Sequence, residues 1–368
     1  MRARDLGIVL GELPTGRLNA ITDVAGVRVG HHTLIRGDRV RTGVTVVLPH
    51  EGDPGDQPVF AGTHTLNGNG EMTGPEWIRE GGTLLSAIGL TNTHSVGIVH
   101  HALVAASVRA APIPDHPRWS LPVVAETWDG YLNDIDGQHV TEDDVQAALA
   151  DARDGPVEEG NVGGGTGMKA YGFKAGIGTA SRVVAAEHGG FTVGALVQAN
   201  HGRRERLTID GVPVGREIPR SEIPGPDPAA PMPGPAAAEG GSIIVILATD
   251  APLLPHQCRR LAQRATIGVA RTGGGGEHDS GDIFLAFATG NRNLRAEDHA
   301  DAVTRTITML EDDHITALFW AAIEATEEAI VNALLSAESM TGNGVTFHAL
   351  PADRLLQLMR RYGRGPVA

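Results

Sequence analysis

The chain has one cysteine, Cys258, in 368 residues, and only 4% of it is aromatic. A lone cysteine excludes an intrachain disulfide framework and a thiolate metal cage, and a reducing, cytoplasmic setting is expected. Positive charge is also short: 30 Lys and Arg against 44 Asp and Glu leave a net charge of -14. A phosphate backbone would be repelled by that balance, so nucleic acid is not expected as a partner. No run of about 18 apolar residues occurs, and Met1-Arg-Ala-Arg-Asp-Leu lacks the apolar core of a secretory signal. Neither a membrane span nor export is expected. The Gly-x-Ser-x-Gly elbow of many serine hydrolases is missing too, and none of the 16 histidines stands in a serine-hydrolase or His-Glu-x-x-His pattern. His31-His32, His100-His101 and Glu277-His-Asp therefore read as scattered core or surface residues. No metal and no cofactor is expected.

What is abundant is glycine, 49 residues of it, beside a 41% hydrophobic fraction large enough for one substantial core. β-Branched alternation from Ile21 to Leu48 predicts strands, and Gly176 to Val183 and Phe191 to Gln198 predict two more. Helices are predicted over Ser95 to Ala110, with Ser95 as N-cap, and over Thr141 to Ala152, which opens Thr-Glu-Asp-Asp. Further helices follow at Pro255 to Val269, Asp313 to Ala337 and Ala352 to Arg361. The glycine-rich stretch Gly163-Gly-Gly-Thr-Gly-Met-Lys lacks the Lys-Ser/Thr pair of a phosphate loop and follows no buried strand. It reads as a turn-rich loop near the active site. These blocks alternate, so the expectation is one α/β domain over residues 1–368.

Residues 223–241 interrupt the pattern with a Pro/Gly/Ala-rich linker too poor in apolar residues to pack. Directly behind it, Ser242-Ile-Ile-Val-Ile-Leu-Ala-Thr is the most strand-like segment in the chain, and Asp282 to Thr289 predicts a second buried strand. A serine is a weak nucleophile without a base. A serine at a chain terminus has one in its own α-amine, whose reference pKa of about 7.7–8.0 leaves it substantially neutral near pH 8. Such a serine requires a cut after Gly241. Taken alone, the dipeptide more commonly means simple punctuation between loop and strand.

Longer segments decide between these readings. Asn19-Ala-Ile-Thr-Asp-Val-Ala-Gly-Val-Arg-Val-Gly-His, Glu126-Thr-Trp-Asp-Gly-Tyr-Leu-Asn-Asp, Val193-Gly-Ala-Leu-Val-Gln-Ala-Asn, Gly241-Ser-Ile-Ile-Val-Ile-Leu-Ala-Thr-Asp-Ala-Pro-Leu and Asp279-Ser-Gly-Asp-Ile occur in order. Together they resemble the L-aminopeptidase D-Ala-esterase/amidase and β-aminopeptidase family of self-processing serine aminopeptidases, over nearly the whole chain. The resemblance implies an α-β-β-α sandwich like that of N-terminal-nucleophile hydrolases. It also implies self-cleavage into residues 1–241 and 242–368, and a homotetramer. The implied activity is hydrolysis of N-terminal residues from small peptides, amino-acid amides or esters.

Carried onto this chain, the resemblance gives Ser242 as nucleophile, Asn200 as oxyanion donor, and Ser280 and Asp282 as the network around the nucleophile. Asp282 is expected to be the first anchor for the substrate ammonium group and Glu126 the second. Tyr131 and Asn133 are expected at the substrate pocket. Taken alone, Asn200 also fits a turn, Asp282 a solvated loop carboxylate, and Asn133 a cap. Acyl transfer of the ornithine acetyltransferase type, which is expected to use threonine, and a non-catalytic ligand-binding role are the alternatives.

Overall fold

The structure, a computed structural model, describes residues 1–110, 119–225, 241–292, 294 and 303–365. After a 3₁₀ turn at Ile21–Asp23, the chain runs through β1 (Arg28–Arg36), β2 (Val40–Leu48), β3 (Val59–Gly68), α1 (Pro75–Gly81), β4 (Thr83–Leu84) and β5 (Ile88–Asn92). It continues through α2 (Val96–Ala110), β6 (Val123–Thr127), α3 (Glu142–Asp151), the short hairpin β7 (Lys169–Ala170) and β8 (Phe173–Lys174), β9 (Ile177–Val183) and β10 (Thr192–Asn200). The remaining elements are α4 (Val214–Glu217), β11 (Ser242–Thr249), α5 (Pro255–Arg271), β12 (Gly281–Ala288), α6 (Ile315–Leu335), β13 (Met340–Gly342), β14 (Val345–Phe347) and α7 (Ala352–Arg361). Of the linker expected over 223–241, only residues 223–225 and 241 fall within the described residues.

Two sheets carry the fold. One has the order β1-β2-β5-β6 and the other β4-β3-β12-β11-β10-β9. β11 is central in the larger sheet, and its eight residues are all buried, which no half-exposed strand tolerates. Its alternate side chains serve two cores. Ile243, Val245 and Leu247 pack with Leu261, Ala265, Ala322 and Ala329 of α5 and α6. Ile244, Ile246 and Ala248 face Val47, Ile88, Leu90 and Val123 of the smaller sheet. On that sheet's far side Val44, Val46 and Val124 meet Val99 and Leu103 of α2 and Val145 and Ala148 of α3. The layers are therefore helix, sheet, sheet, helix, the expected α-β-β-α sandwich, and each buried aliphatic on β11 contributes roughly 1.5–3 kcal/mol.

Local expectations fare differently. The Thr141 hydroxyl and amide both bond Asp144 Oδ2, at 2.8 and 2.7 Å, so the acidic opening of α3 does fix its start. Ser95 does not cap α2: it ends a 3₁₀ turn, Thr93–Ser95, that runs straight into the helix, and its buried Oγ has no hydrogen-bond partner. The predicted strand beginning at Ile21 starts at Arg28 instead, because the Asp23 carboxylate accepts from the Leu18 and Ala20 amides and folds that segment into a turn.

Candidate active site

Three strands end side by side at one end of the larger sheet. β10 runs antiparallel to β11 and β12 runs parallel to it, so Asn200 stands opposite Ser242 and Ser242 opposite Gly281. By strand alternation Ser242 and Asn200 share the face of Ile244 and Gln198, toward the smaller sheet. Both line an open cleft of about 1010 Å³, together with Glu126, Trp128, Tyr131, Asn133, Lys169 and Gly241. The Oγ of Ser242 makes no hydrogen bond among the described residues.

The peptide bond before Ser242 is held by sheet geometry. The Gly241 carbonyl accepts from the Gly281 amide at 3.0 Å, extending the β11–β12 ladder by one residue. Gly241 has φ +145°, and a Cβ built there would stand 1.9 Å from the Asn200 carbonyl oxygen. Only glycine fits this approach, which supplies the reason for its place before the serine.

Asn200 is fixed from both ends of its amide. Its Oδ1 accepts from the Lys169 backbone amide at 3.0 Å and its Nδ2 donates to the Trp128 carbonyl at 3.0 Å. An asparagine amide has two N–H groups, so one is left to give. Ser280 and Asp282 form a buried pair, with the Ser280 hydroxyl donating to Asp282 Oδ1 at 2.7 Å. Asn67 donates to Asp282 Oδ2 at 2.6 Å. The Ile243 amide also bonds this carboxylate, so Asp282 grips the backbone one residue beyond Ser242. Burial still raises its pKa above the usual carboxylate range, against the pull of Ser280 and Asn67. Asp282 is opposite Ile243 in the ladder, and neither it nor Ser280 lines the cleft.

Glu126 does line it. This carboxylate, at the end of β6, receives the Glu71 amide at 3.0 Å and the Thr93 hydroxyl, and burial raises its pKa. Tyr131 stands edge-on to Trp128, with ring centroids 5.0 Å apart, and to Phe347 at 5.6 Å, while Lys169 Nζ lies 5.8 Å from its ring centre. Asn133 also borders the cleft, but its amide is committed: Oδ1 accepts from the Arg41 backbone at 3.1 Å and Nδ2 donates to the buried Asp129 at 3.1 Å.

The structure thus brings Ser242, Asn200, Glu126, Tyr131 and Asn133 to one cleft and sets Ser280 and Asp282 at the start of the neighbouring strand β12, outside the cleft lining. Sequence reading missed Thr93, Asn67 and the backbone donors of Lys169 and Gly281. Nothing local marks them, since each acts through a partner remote in sequence. Among the described residues no helix is long and apolar enough to cross a membrane.

The profile of peptidase family S58 matches residues 19–347. The chain is 47% identical to the β-peptidyl aminopeptidase BapA of Sphingosinicella microcystinivorans, over 99% of this chain and 93% of that protein. Among solved structures, a Burkholderia sp. β-aminopeptidase superposes with a TM-score of 0.90 at 55% identity, covering all of both chains. The L-aminopeptidase D-Ala-esterase/amidase of Ochrobactrum anthropi, described as a prototype serine aminopeptidase with a variant of the Ntn hydrolase fold, superposes with a TM-score of 0.88 at 47% identity over 99% of each chain.

Proposed function

The chain belongs to peptidase family S58 and is a serine-type aminopeptidase acting on peptides or amides, and from that premise we propose that Ser242 is its nucleophile, released by self-cleavage after Gly241. In the uncut chain Ser242 Oγ attacks the Gly241 carbonyl carbon, the peptide nitrogen leaves as an amine, and water hydrolyses the ester. The products are a carboxylate on Gly241 and a free α-amine on Ser242. One observation carries this reading: the Gly241 carbonyl is locked in the ladder by the Gly281 amide, beside a serine that opens onto the cleft. A carbonyl so held is already polarised where negative charge develops during attack.

In turnover the α-amine takes the proton from Oγ as it attacks the substrate carbonyl, and returns it to the leaving amine. Asn200 gives its remaining N–H to the oxyanion. Ser280 and Asp282 hold the proton network around the α-amine, and Asp282 fixes the strand through Ile243. Glu126, on the cleft wall, pairs with the substrate ammonium in preference to Asp282, whose oxygens are taken by Ser280, Asn67 and Ile243. Tyr131 shapes the pocket, and Asn133 braces the wall through Asp129. Two relatives described as β-aminopeptidases make N-terminal β-amino residues the substrate class to try first.

Intact mass measurement tests the nucleophile. Wild-type protein should resolve under denaturing conditions into residues 1–241 and 242–368, the latter beginning Ser-Ile-Ile-Val. Ser242→Ala should remain one chain and lose at least about 10⁴-fold in kcat. A fully active unbroken chain, or a Ser242→Ala protein that splits and hydrolyses normally, overturns the proposal.

A further inference from the structure

The glycine-rich segment before β7 resembles a phosphate loop in composition, yet its polarity is reversed. A phosphate loop turns backbone N–H groups inward toward an anion. Here the inward groups are carbonyls: Gly165, Met168 and Ala175 direct their oxygens at Lys174 Nζ, at 3.4, 2.7 and 2.5 Å. Lys174 is fully buried, and among the described residues no carboxylate bonds its amine. Burial draws its pKa well below the ordinary lysine value, and in either protonation state it has N–H groups to donate. The loop can close this tightly because Gly165 has no side chain: a Cβ there would lie 2.4 Å from the Ile177 nitrogen.

This cage sits one peptide from the active site. Met168, whose carbonyl takes the shorter of the two loop contacts, precedes Lys169, and the Lys169 amide is the donor that holds Asn200 Oδ1. The peptide plane between residues 168 and 169 therefore has its oxygen held by Lys174 and its N–H held by Asn200. Rotating that plane to escape one partner breaks the other.

We propose that Lys174 is a positioning residue for catalysis: its buried amine caps the inward carbonyls of the 163–168 loop and so fixes the Lys169 amide that aims the Asn200 side chain at the oxyanion. The inference rests on the reading of Asn200 as oxyanion donor. It gives the glycine-rich loop a use that neither nucleotide binding nor a plain turn supplies. Removing the amine takes a donor from all three oxygens: Gly165 keeps only the Met168 amide and Met168 only the Ala175 amide, each at 3.2 Å, so the 168–169 peptide is held less firmly.

The experiment is a double-mutant cycle on the self-processed enzyme, with Lys174→Met, Asn200→Ala and the double variant, each assayed for kcat and KM on a free-amine peptide amide. Lys174→Met should lower kcat by about 10- to 100-fold while KM moves by less than about threefold. In the Asn200→Ala background the same substitution should change kcat by less than about twofold, because the group it positions is gone. Lys174→Gln, which retains two N–H donors, should recover most of the lost kcat, and Lys174→Leu, which also lacks a donor, takes the place of Lys174→Met in the cycle should that variant fail to fold. Losses that multiply in the double variant, or a Lys174 effect confined to KM, overturn the positioning role. An Asn200→Ala enzyme of normal kcat instead overturns the oxyanion reading beneath it, so the two failures are distinguishable.

Discussion

The two ends of the larger sheet treat buried polar groups in opposite ways. At the end away from Ser242, Arg182 of β9 is fully buried, with its guanidinium on Glu324 at 3.1 Å, Glu328 at 2.7 Å and the Leu10 carbonyl at 2.6 Å. The glutamates are closed in turn: Glu324 takes the Glu12 and Leu13 amides, and Glu328 takes Arg4 and Asn19. At the Ser242 end, among the described residues, a hydroxyl has no partner and an asparagine amide has an N–H to spare. A buried polar group costs free energy unless it is bonded. Apart from Arg4 Nη2, which has no partner among the described residues, the groups of the first cluster are bonded and fix structure, whereas a polar group left open beside a cleft has capacity to bond a molecule that enters it. The closed cluster also joins Arg4, Leu10 and Arg182 to Glu324 and Glu328 across the proposed cut, so it clasps the two fragments that cutting would produce.

Breaking the closed end should have the largest effect on stability. Arg182→Met takes the buried guanidinium from two buried carboxylates and should cost about 3–5 kcal/mol, read by chemical denaturation. The kcat of the protein that stays folded should be unchanged. A drop in kcat at full folding would mean that the two ends are coupled.

The wall of the cleft responds to pH. Asp129, whose chain neighbours Trp128 and Gly130 line the cleft, is fully buried with Oδ2 unpartnered among the described residues, and burial lifts its pKa from 3.8 to about 7 against hydrogen bonds from Thr42, Asn133 and Asn92. Below pH 4 both folded and unfolded forms are protonated. Between pH 4 and 7 the unfolded chain releases the proton while the folded one keeps it, so stability falls as pH rises, and the penalty is complete above 7. Asp129→Asn removes that titration. Relative to wild type it should gain about 2–4 kcal/mol between pH 5 and pH 8, and parallel stability curves would contradict the assignment.

The open end is the place for kinetic effects. Asn200→Ala should lower kcat by about 10²–10³, equivalent to about 2.7–4 kcal/mol, with a smaller loss of stability than Arg182→Met. A near-normal rate would remove Asn200 from the mechanism.

Much of this contrast was legible in the sequence, but unevenly. β11 was readable to the residue because a strand buried on both faces needs an unbroken apolar run, and α7 because its amphipathic pattern is strict. β5 and β6 were not, since Ile88-Gly-Leu-Thr-Asn and Val123-Val-Ala-Glu-Thr are short and end in polar residues, of which Glu126 lines the cleft. Ser242 and Asn200 stood out through the resemblance of the segments around them, since pattern alone reads one as punctuation and the other as a turn. The closed cluster left no trace: Arg182, Glu324 and Glu328 look like surface charges in sequence, and only the packing of α6 on β9 and the N-terminal segment makes them core. The ranking of Asp282 above Glu126 as ammonium anchor came from sequence likeness, which carries a residue's presence but not which face of the strand it occupies.

That ranking yields the smallest and sharpest test. Glu126 is bonded by Thr93 and the Glu71 amide, yet a carboxylate has about four acceptor positions, so it retains capacity for an ammonium group. A charge-assisted bond of this kind is worth about 1.5–3 kcal/mol. Glu126→Gln should therefore raise KM for a free-amine peptide by about 10- to 100-fold with little change in kcat, whereas Asp282→Asn should lower kcat with little change in KM. Because burial raises the Glu126 pKa, wild-type KM should climb as pH falls through that raised value, while the Gln variant, having no carboxylate to neutralise, should lose that acid limb. A KM effect at Asp282 with none at Glu126 would return the anchor to β12, beside the strand of Ser242. The two ends of the sheet would then differ less than their hydrogen bonds imply, because a carboxylate already closed by three partners would have opened to take a fourth.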